Sequence, residues 1–180
     1  HSDAMLGTLT MKDKALWKRS KITAGALGYA ASPDDCFLGL RGLRTLAVRL
    51  PRHEANALKL AHWLETRSEI ETVLHPALES CPGHNIWKRD FTGSCGLFGV
   101  VLKEGPNPAA IARMLDGLNL FAMGYSWGGF ESLIIPTDPA TTRNTYDWPH
   151  KGQSLRIHAG LEDPDDLIAD LTAGLNRLNA

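Results

Sequence analysis

Residues 96–102, Gly-Leu-Phe-Gly-Val-Val-Leu, are apolar at odd and even positions alike. Side chains along a strand alternate between two faces, so such a run needs cover on both sides and belongs in the interior of a sheet. Neighbouring segments supply the cover. Asn107-Pro108 opens a helix with an acceptor at the cap and proline at the first position, and Ile111, Met114, Leu115 and Leu118 then fall on one face. Asp163-Pro164-Asp165-Asp166 repeats the device, with acids on the positive end of a helix whose inward residues are Leu167, Ile168, Leu171, Leu175 and Leu178. Further strands are expected at residues 4–10, 69–75, 120–125, 131–135 and 154–159, a helix at 12–28 ending near Gly25 and Gly28, and a helical turn at 83–88. Strands interleaved with helices predict an α/β or α+β layer, a mostly antiparallel sheet covered by helices.

A long helix is expected after Ser32-Pro33-Asp34-Asp35, where Leu40, Leu43, Ala47, Leu50, Ala57, Ala61 and Leu64 keep a three-and-four spacing that seeks a core. Pro51 lies inside this stripe. Its missing N–H and its ring predict a kink or break near Leu50.

Composition narrows the function classes. With 180 residues, 43% of them hydrophobic and 22% charged, the chain can bury a substantial core, and one domain is the default. A formal net charge of -1 gives no electrostatic reason to attract nucleic acid or an anionic membrane, so neither partner is expected. Lys12, Lys14, Lys18, Arg19 and Lys21 read as the wet face of a helix. Cys36, Cys81 and Cys95 are odd in number and lack C-x-x-C spacing, which argues against a disulfide framework or a cysteine zinc site and suits a reducing cytoplasm. No apolar run is long enough to span a bilayer. The sequence opens His1-Ser2-Asp3 rather than with methionine, which points either to residues lost upstream or to a tag remnant before Met5.

Gly124-x-Ser126-x-Gly128 matches the turn that carries a nucleophilic serine in many hydrolases. That turn must lead into a helix, whereas Phe130-Glu131-Ser132-Leu133-Ile134-Ile135-Pro136 reads as a strand. Neither His150 nor His158 is well placed as the base, and chance produces the pattern roughly 0.08 times in a chain of this composition. His75, Cys81 and His84 could approach zinc only with a fourth ligand that nothing marks, so no metal is expected. The acids from Asp163 to Asp166 are accounted for by capping.

Arg156 lies between the apolar Leu155 and Ile157 and shares the opposite sheet face with His158. Such an arginine is either a solvated outward residue or a planar fork for a carboxylate. The segments "HSDAMLGT" at 1–8, "RGLRTLAVRL" at 41–50, "WKRDFTGSCGLFGVVL" at 87–102, "YSWGGFESLI" at 125–134 and "LRIHAGLEDPDDLIADL" at 155–171 resemble, in that order, the C-terminal half of cystathionine β-lyases. These belong to the Cys/Met-metabolism family of pyridoxal-phosphate enzymes.

The resemblance implies an α+β C-terminal domain of a fold type I enzyme at 41–180, preceded at 1–40 by the tail of the large cofactor domain and a linking helix. In that family "HSD" follows a Ser-x-Thr-Lys-Tyr context whose lysine carries the cofactor. No lysine here has those neighbours, so the implied chain starts just after it, is expected to be inactive alone, and contributes no catalytic residue. Arg156 is expected to grip the substrate α-carboxylate. Tyr125, Ser126 and Trp127 line the substrate side, with Ser126 positioning rather than attacking. Trp127 favours β-elimination over the γ-acting relatives, while a core aromatic beside a turn is its plainer reading. Cystathionine, cleaved to homocysteine, pyruvate and ammonia in methionine biosynthesis, is the implied thioether substrate, pyridoxal 5'-phosphate the cofactor, and a homotetramer the assembly. A γ-acting lyase or synthase, a non-catalytic assembly domain, and last a serine hydrolase are the alternatives.

Overall fold

The structure, a computed structural model, describes residues 1–142, 144, 145 and 147–179. The chain divides into two compact units, one drawn from residues 3–47 and the other from residue 48 onward.

The first unit holds α1 (Lys14–Ala26) and the beginning of α2 (Pro33–Glu65). Asp13 caps α1 by accepting from the backbone N–H groups of Ala15 and Leu16 at 2.7 and 3.0 Å. Asp35 N–H donates to the Ser32 hydroxyl at 3.0 Å at the start of α2. Residues 4–10 form no strand, contrary to expectation. A strand exists through its ladder partners, and none pairs with this segment among the described residues. The early stripe of α2 is also not buried in this chain: Leu40 and Leu43 are 50% and 65% exposed.

In the second unit α2 continues without a break at Pro51. A proline removes only its own N–H from the helical ladder, and the buried face that follows, His53, Asn56, Ala57, Leu60, Ala61 and Leu64, anchors the C-terminal turns. The sheet contains β1 (Ile70–Leu74), β2 (Leu97–Leu102), β3 (Leu133–Thr137) and β4 (Ser154–His158), in the order β1-β2-β4-β3 with every pair antiparallel. The two-faced apolar run is thus an interior strand, with Val100, Val101 and Leu102 no more than 1% exposed. Pro136 sits in an edge strand, where a missing donor is tolerated.

Helices α3 (His84–Asp90), α4 (Pro108–Asp116), α5 (Pro139–Thr142) and α6 (Pro164–Asn176) complete the unit, with a 3-10 turn at Arg177–Asn179. Asn107 and Asp163 cap α4 and α6. Phe98, Val100, Ile134, Leu155 and Ile157 from the sheet join Leu60, Met114, Leu167, Leu171 and Leu175 from the helices in one core. Burial of each such side chain stabilises by about 1.5–3 kcal/mol.

The expected strand at 120–125 is absent. Only Ala122 pairs there, through an isolated parallel bridge to Leu133. The preceding backbone is occupied otherwise: the Asp170 carboxylate accepts from the N–H groups of Asn119, Leu120 and Phe121 at 2.8–3.2 Å. Those donors are thereby withdrawn from any ladder.

Candidate substrate-carboxylate site

Strand β4 is flanked on both sides, which brings Arg156 opposite Gly99 of β2 and Ile135 of β3. Gly99 offers no side chain, and Leu74 of β1 lies beside it on that flank of Arg156. On the other side the chain turns sharply through residues 123–130 before entering β3. Gly128 takes the left-handed conformation at φ +82°, where a side chain would strain the backbone.

Arg156 meets this turn. Its Nη2 donates to the carbonyl oxygens of Gly124 and Ser126 at 3.1 and 3.3 Å. The guanidinium carbon lies 5.3 Å from the Trp127 ring centroid and 5.9 Å from that of Tyr125, within cation–π range. Nε and Nη1 make no hydrogen bond among the described residues, so these two donors are free to meet a carboxylate. A hollow of about 630 Å³ adjoins it, lined among others by Tyr125, Arg156, Thr137 and Trp148. That volume suits a small molecule.

Arg156, Tyr125, Ser126 and Trp127 are therefore brought together. Of the two readings of Arg156, the solvated outward one does not hold: the side chain is half-buried and bonded to the turn. Tyr125 and Trp127 are 80% and 56% exposed, so Trp127 is not a core aromatic in this chain. Among the described residues the Ser126 hydroxyl meets that of Ser2 and no histidine, and its turn leads into β3 rather than a helix. His150 instead pairs with Glu71 at 2.7 Å.

Three supporting features escaped the sequence reading. His158 shares the face of Arg156 but is 3% exposed, and its Nε2 accepts from Gly128 N–H at 3.1 Å. Glu162 accepts from Ser132 N–H and Oγ at 2.8 and 2.9 Å, while Ser132 Oγ accepts from Gly160 N–H at 2.8 Å, which ties the end of β4 to the start of β3. Asp170 anchors the segment leading into the turn. Only Glu162 and Asp170 carried any signal, as acids beyond what a helix cap requires. Two of the zinc candidates make local bonds: His75 Nδ1 accepts from Ala77 N–H and His84 Nδ1 donates to the Pro76 carbonyl oxygen, while no metal-holding group of three or more ligands occurs among the described residues.

Residues 1–176 match the Cys/Met metabolism PLP-dependent enzyme family. The chain belongs to that family. It is 46% identical over 181 residues to the cystathionine beta-lyase MetC of Escherichia coli, covering 99% of this chain and 46% of the relative. To the cystathionine beta-lyase of Salmonella typhimurium it is 45% identical with the same coverage. A crystal structure of cystathionine gamma synthase from Xanthomonas oryzae, in complex with aminoacrylate and cysteine, superposes with a TM-score of 0.81 at 36% identity, over 94% of this chain and 45% of that one. The chain thus spans a little under half the length of these relatives.

The family depends on pyridoxal phosphate. Holding it takes a lysine amine for the aldehyde and donors for the phosphate. Residues 122–137 and 154–162, which build the site, contain no lysine, and Arg156 is their one permanent cation. These residues do not fit the cofactor. Among the described residues no helix is long and apolar enough to cross a membrane.

Proposed function

We propose that this chain supplies the substrate-carboxylate part of the active site in a pyridoxal-phosphate-dependent carbon–sulfur lyase that acts on cystathionine by β-elimination. The observation that carries the reading is the partly free guanidinium of Arg156, held by two turn carbonyls beside Tyr125 and Trp127. Donation from the free Nε or Nη1 would hold the substrate carboxylate, and with it the direction of the α-proton. The Gly124 and Ser126 carbonyls set the plane of the fork, and the two rings border the bound chain. Pyridoxal phosphate, when bound, supplies the electron-accepting ring that makes the α-proton removable.

The net reaction consumes one water per cystathionine and yields homocysteine, pyruvate and ammonia, as a step of methionine biosynthesis. With no lysine in the site segments, the 180-residue chain alone is proposed to be inactive. A cytoplasmic homotetramer is the proposed working form, for which the exposed apolar residues of the first unit, Leu40 and Leu43 among them, offer surface.

A γ-acting reading is favoured by one observation, the similarity to a cystathionine gamma synthase. Products separate the two. The protein carrying this sequence, purified with pyridoxal phosphate and given L-cystathionine, should release homocysteine and pyruvate. Cysteine and 2-oxobutyrate would instead establish γ-elimination, and no carbon–sulfur cleavage at all would refute the lyase reading.

A further inference from the structure

Behind the turn at 124–129 lie two buried imidazoles, His53 of α2 and His158 of β4, each 3% exposed, with ring centroids 5.1 Å apart. His53 Nδ1 bonds to the Ala159 carbonyl oxygen at 2.8 Å and must carry the proton to do so. His158 is the opposite case. The N–H of Gly128 donates to its Nε2, so in the neutral ring the proton belongs on Nδ1. That Nδ1 is buried without a partner among the described residues. Gly96 makes room for this ring, since a Cβ there would be 2.9 Å from His158 Nδ1.

We propose that His158 is a positioning residue for the turn that Arg156 grips, and that the turn keeps this shape only while His158 Nε2 is unprotonated. The inference rests on the substrate-carboxylate reading above for its functional consequence. A proton on Nε2 would face the Gly128 N–H, donor against donor. The alternative acceptor is the Gly129 carbonyl oxygen, 3.3 Å from Nε2. That oxygen is already in reach of a proton on Nε2, but the Gly128 N–H would then lose its acceptor and have to turn away, a shift of the backbone at 128–129 that two successive glycines allow. The same turn carries the Gly124 and Ser126 carbonyls, so a shift disturbs the fork of Arg156.

The groups facing His158 are His53 from α2, Glu131 from the segment before β3 and Glu162 from the segment before α6. Burial, the largest effect, lowers the His158 pKa below the ordinary histidine value; His53 adds to this, while the Gly129 carbonyl, Glu131 and Glu162 oppose it. The neutral ring is therefore the working form at neutral pH, and the turn is released on the acid side.

Nitrogen-15 NMR on the 180-residue chain tests the bond without any enzymatic activity. Between pH 5 and 8 the His158 signals should report the Nδ1–H form at neutral pH, and the Gly128 amide should move together with His158 as it titrates. In H158Q, whose amide oxygen can reach the Nε2 position but does not titrate, that acid shift of Gly128 should vanish. A proton on Nε2 at neutral pH, or a Gly128 amide indifferent to His158, would overturn the proposal. In the protein carrying this sequence, H158F should raise KM for cystathionine about two- to twelvefold, the span of one typical hydrogen bond, with kcat little changed. H158Q should restore KM and flatten its acid rise. An equal KM in H158F would refute the positioning role, whereas a wild-type protein that cleaves no cystathionine refutes the substrate reading and leaves the NMR result to decide the bond.

Discussion

Replacing Asp170 by alanine removes one side chain of α6 and orphans three consecutive backbone donors. The carboxylate is 7% exposed and accepts from Asn119 N–H at 2.9 Å, Leu120 N–H at 2.8 Å and Phe121 N–H at 3.2 Å. A hydrogen bond to a charged group contributes about 1.5–3 kcal/mol, and a buried donor left empty costs its desolvation. Phe121 is buried and would bear that in full, whereas Asn119 and Leu120 are exposed and their amides recover part of it from water. D170A should therefore lose about 3–5 kcal/mol, a large part of the roughly 5–15 kcal/mol that holds a domain together. D170N keeps one acceptor oxygen and should lose about 1–3 kcal/mol. Urea unfolding of the 180-residue chain, followed by circular dichroism, should move the midpoint in that order with the slope unchanged. A D170A loss below about 1 kcal/mol would mean that the segment at 119–121 is held by something other than this carboxylate.

Three further outcomes follow from named contacts. R156K loses the planar fork and should lower kcat/KM for cystathionine about 10- to 150-fold in the protein carrying this sequence; steady-state kinetics within twofold of wild type would remove Arg156 from the site. G160A would set a carbon against the Phe130 carbonyl oxygen and 2.7 Å from the Glu131 carbonyl carbon, both backbone atoms, and should destabilise by at least about 2 kcal/mol in a thermal melt. Burial lowers the pKa of both His75 and His158, so below the usual value of about 6.5 the unfolded chain binds protons more readily than the folded one. Their contribution is complete above that pH and is lost as pH falls through the folded values. Stability measured from pH 8 down to 5 should fall, and the fall should shrink in H158Q.

Local signals were legible wherever a structure depends on residues a few positions apart. The capped helices at Asn107 and Asp163, their apolar faces and the interior strand at 97–102 all follow from spacing and cap chemistry. Where a partner far along the chain decides, the sequence misled. Residues 120–125 have strand composition, but Asp170, some fifty residues on, takes their leading donors. Residues 4–10 have it too and find no ladder among the described residues. Pro51 signals a break that the buried face after it overrides.

By itself the sequence determined the layered α/β composition, the family through strings such as "LRIHAGLEDPDD" and "YSWGGFESLI", and the residue types that could bind a carboxylate. Only the tertiary structure decided that Arg156 reaches carbonyls 30 and 32 positions away, that His158 is sealed beneath the turn, and that His53 closes on a carbonyl 106 positions distant. Periodicity says which way a side chain leaves its own backbone. What it meets depends on strand register and on where loops return, and those are fixed by the closure of the whole core.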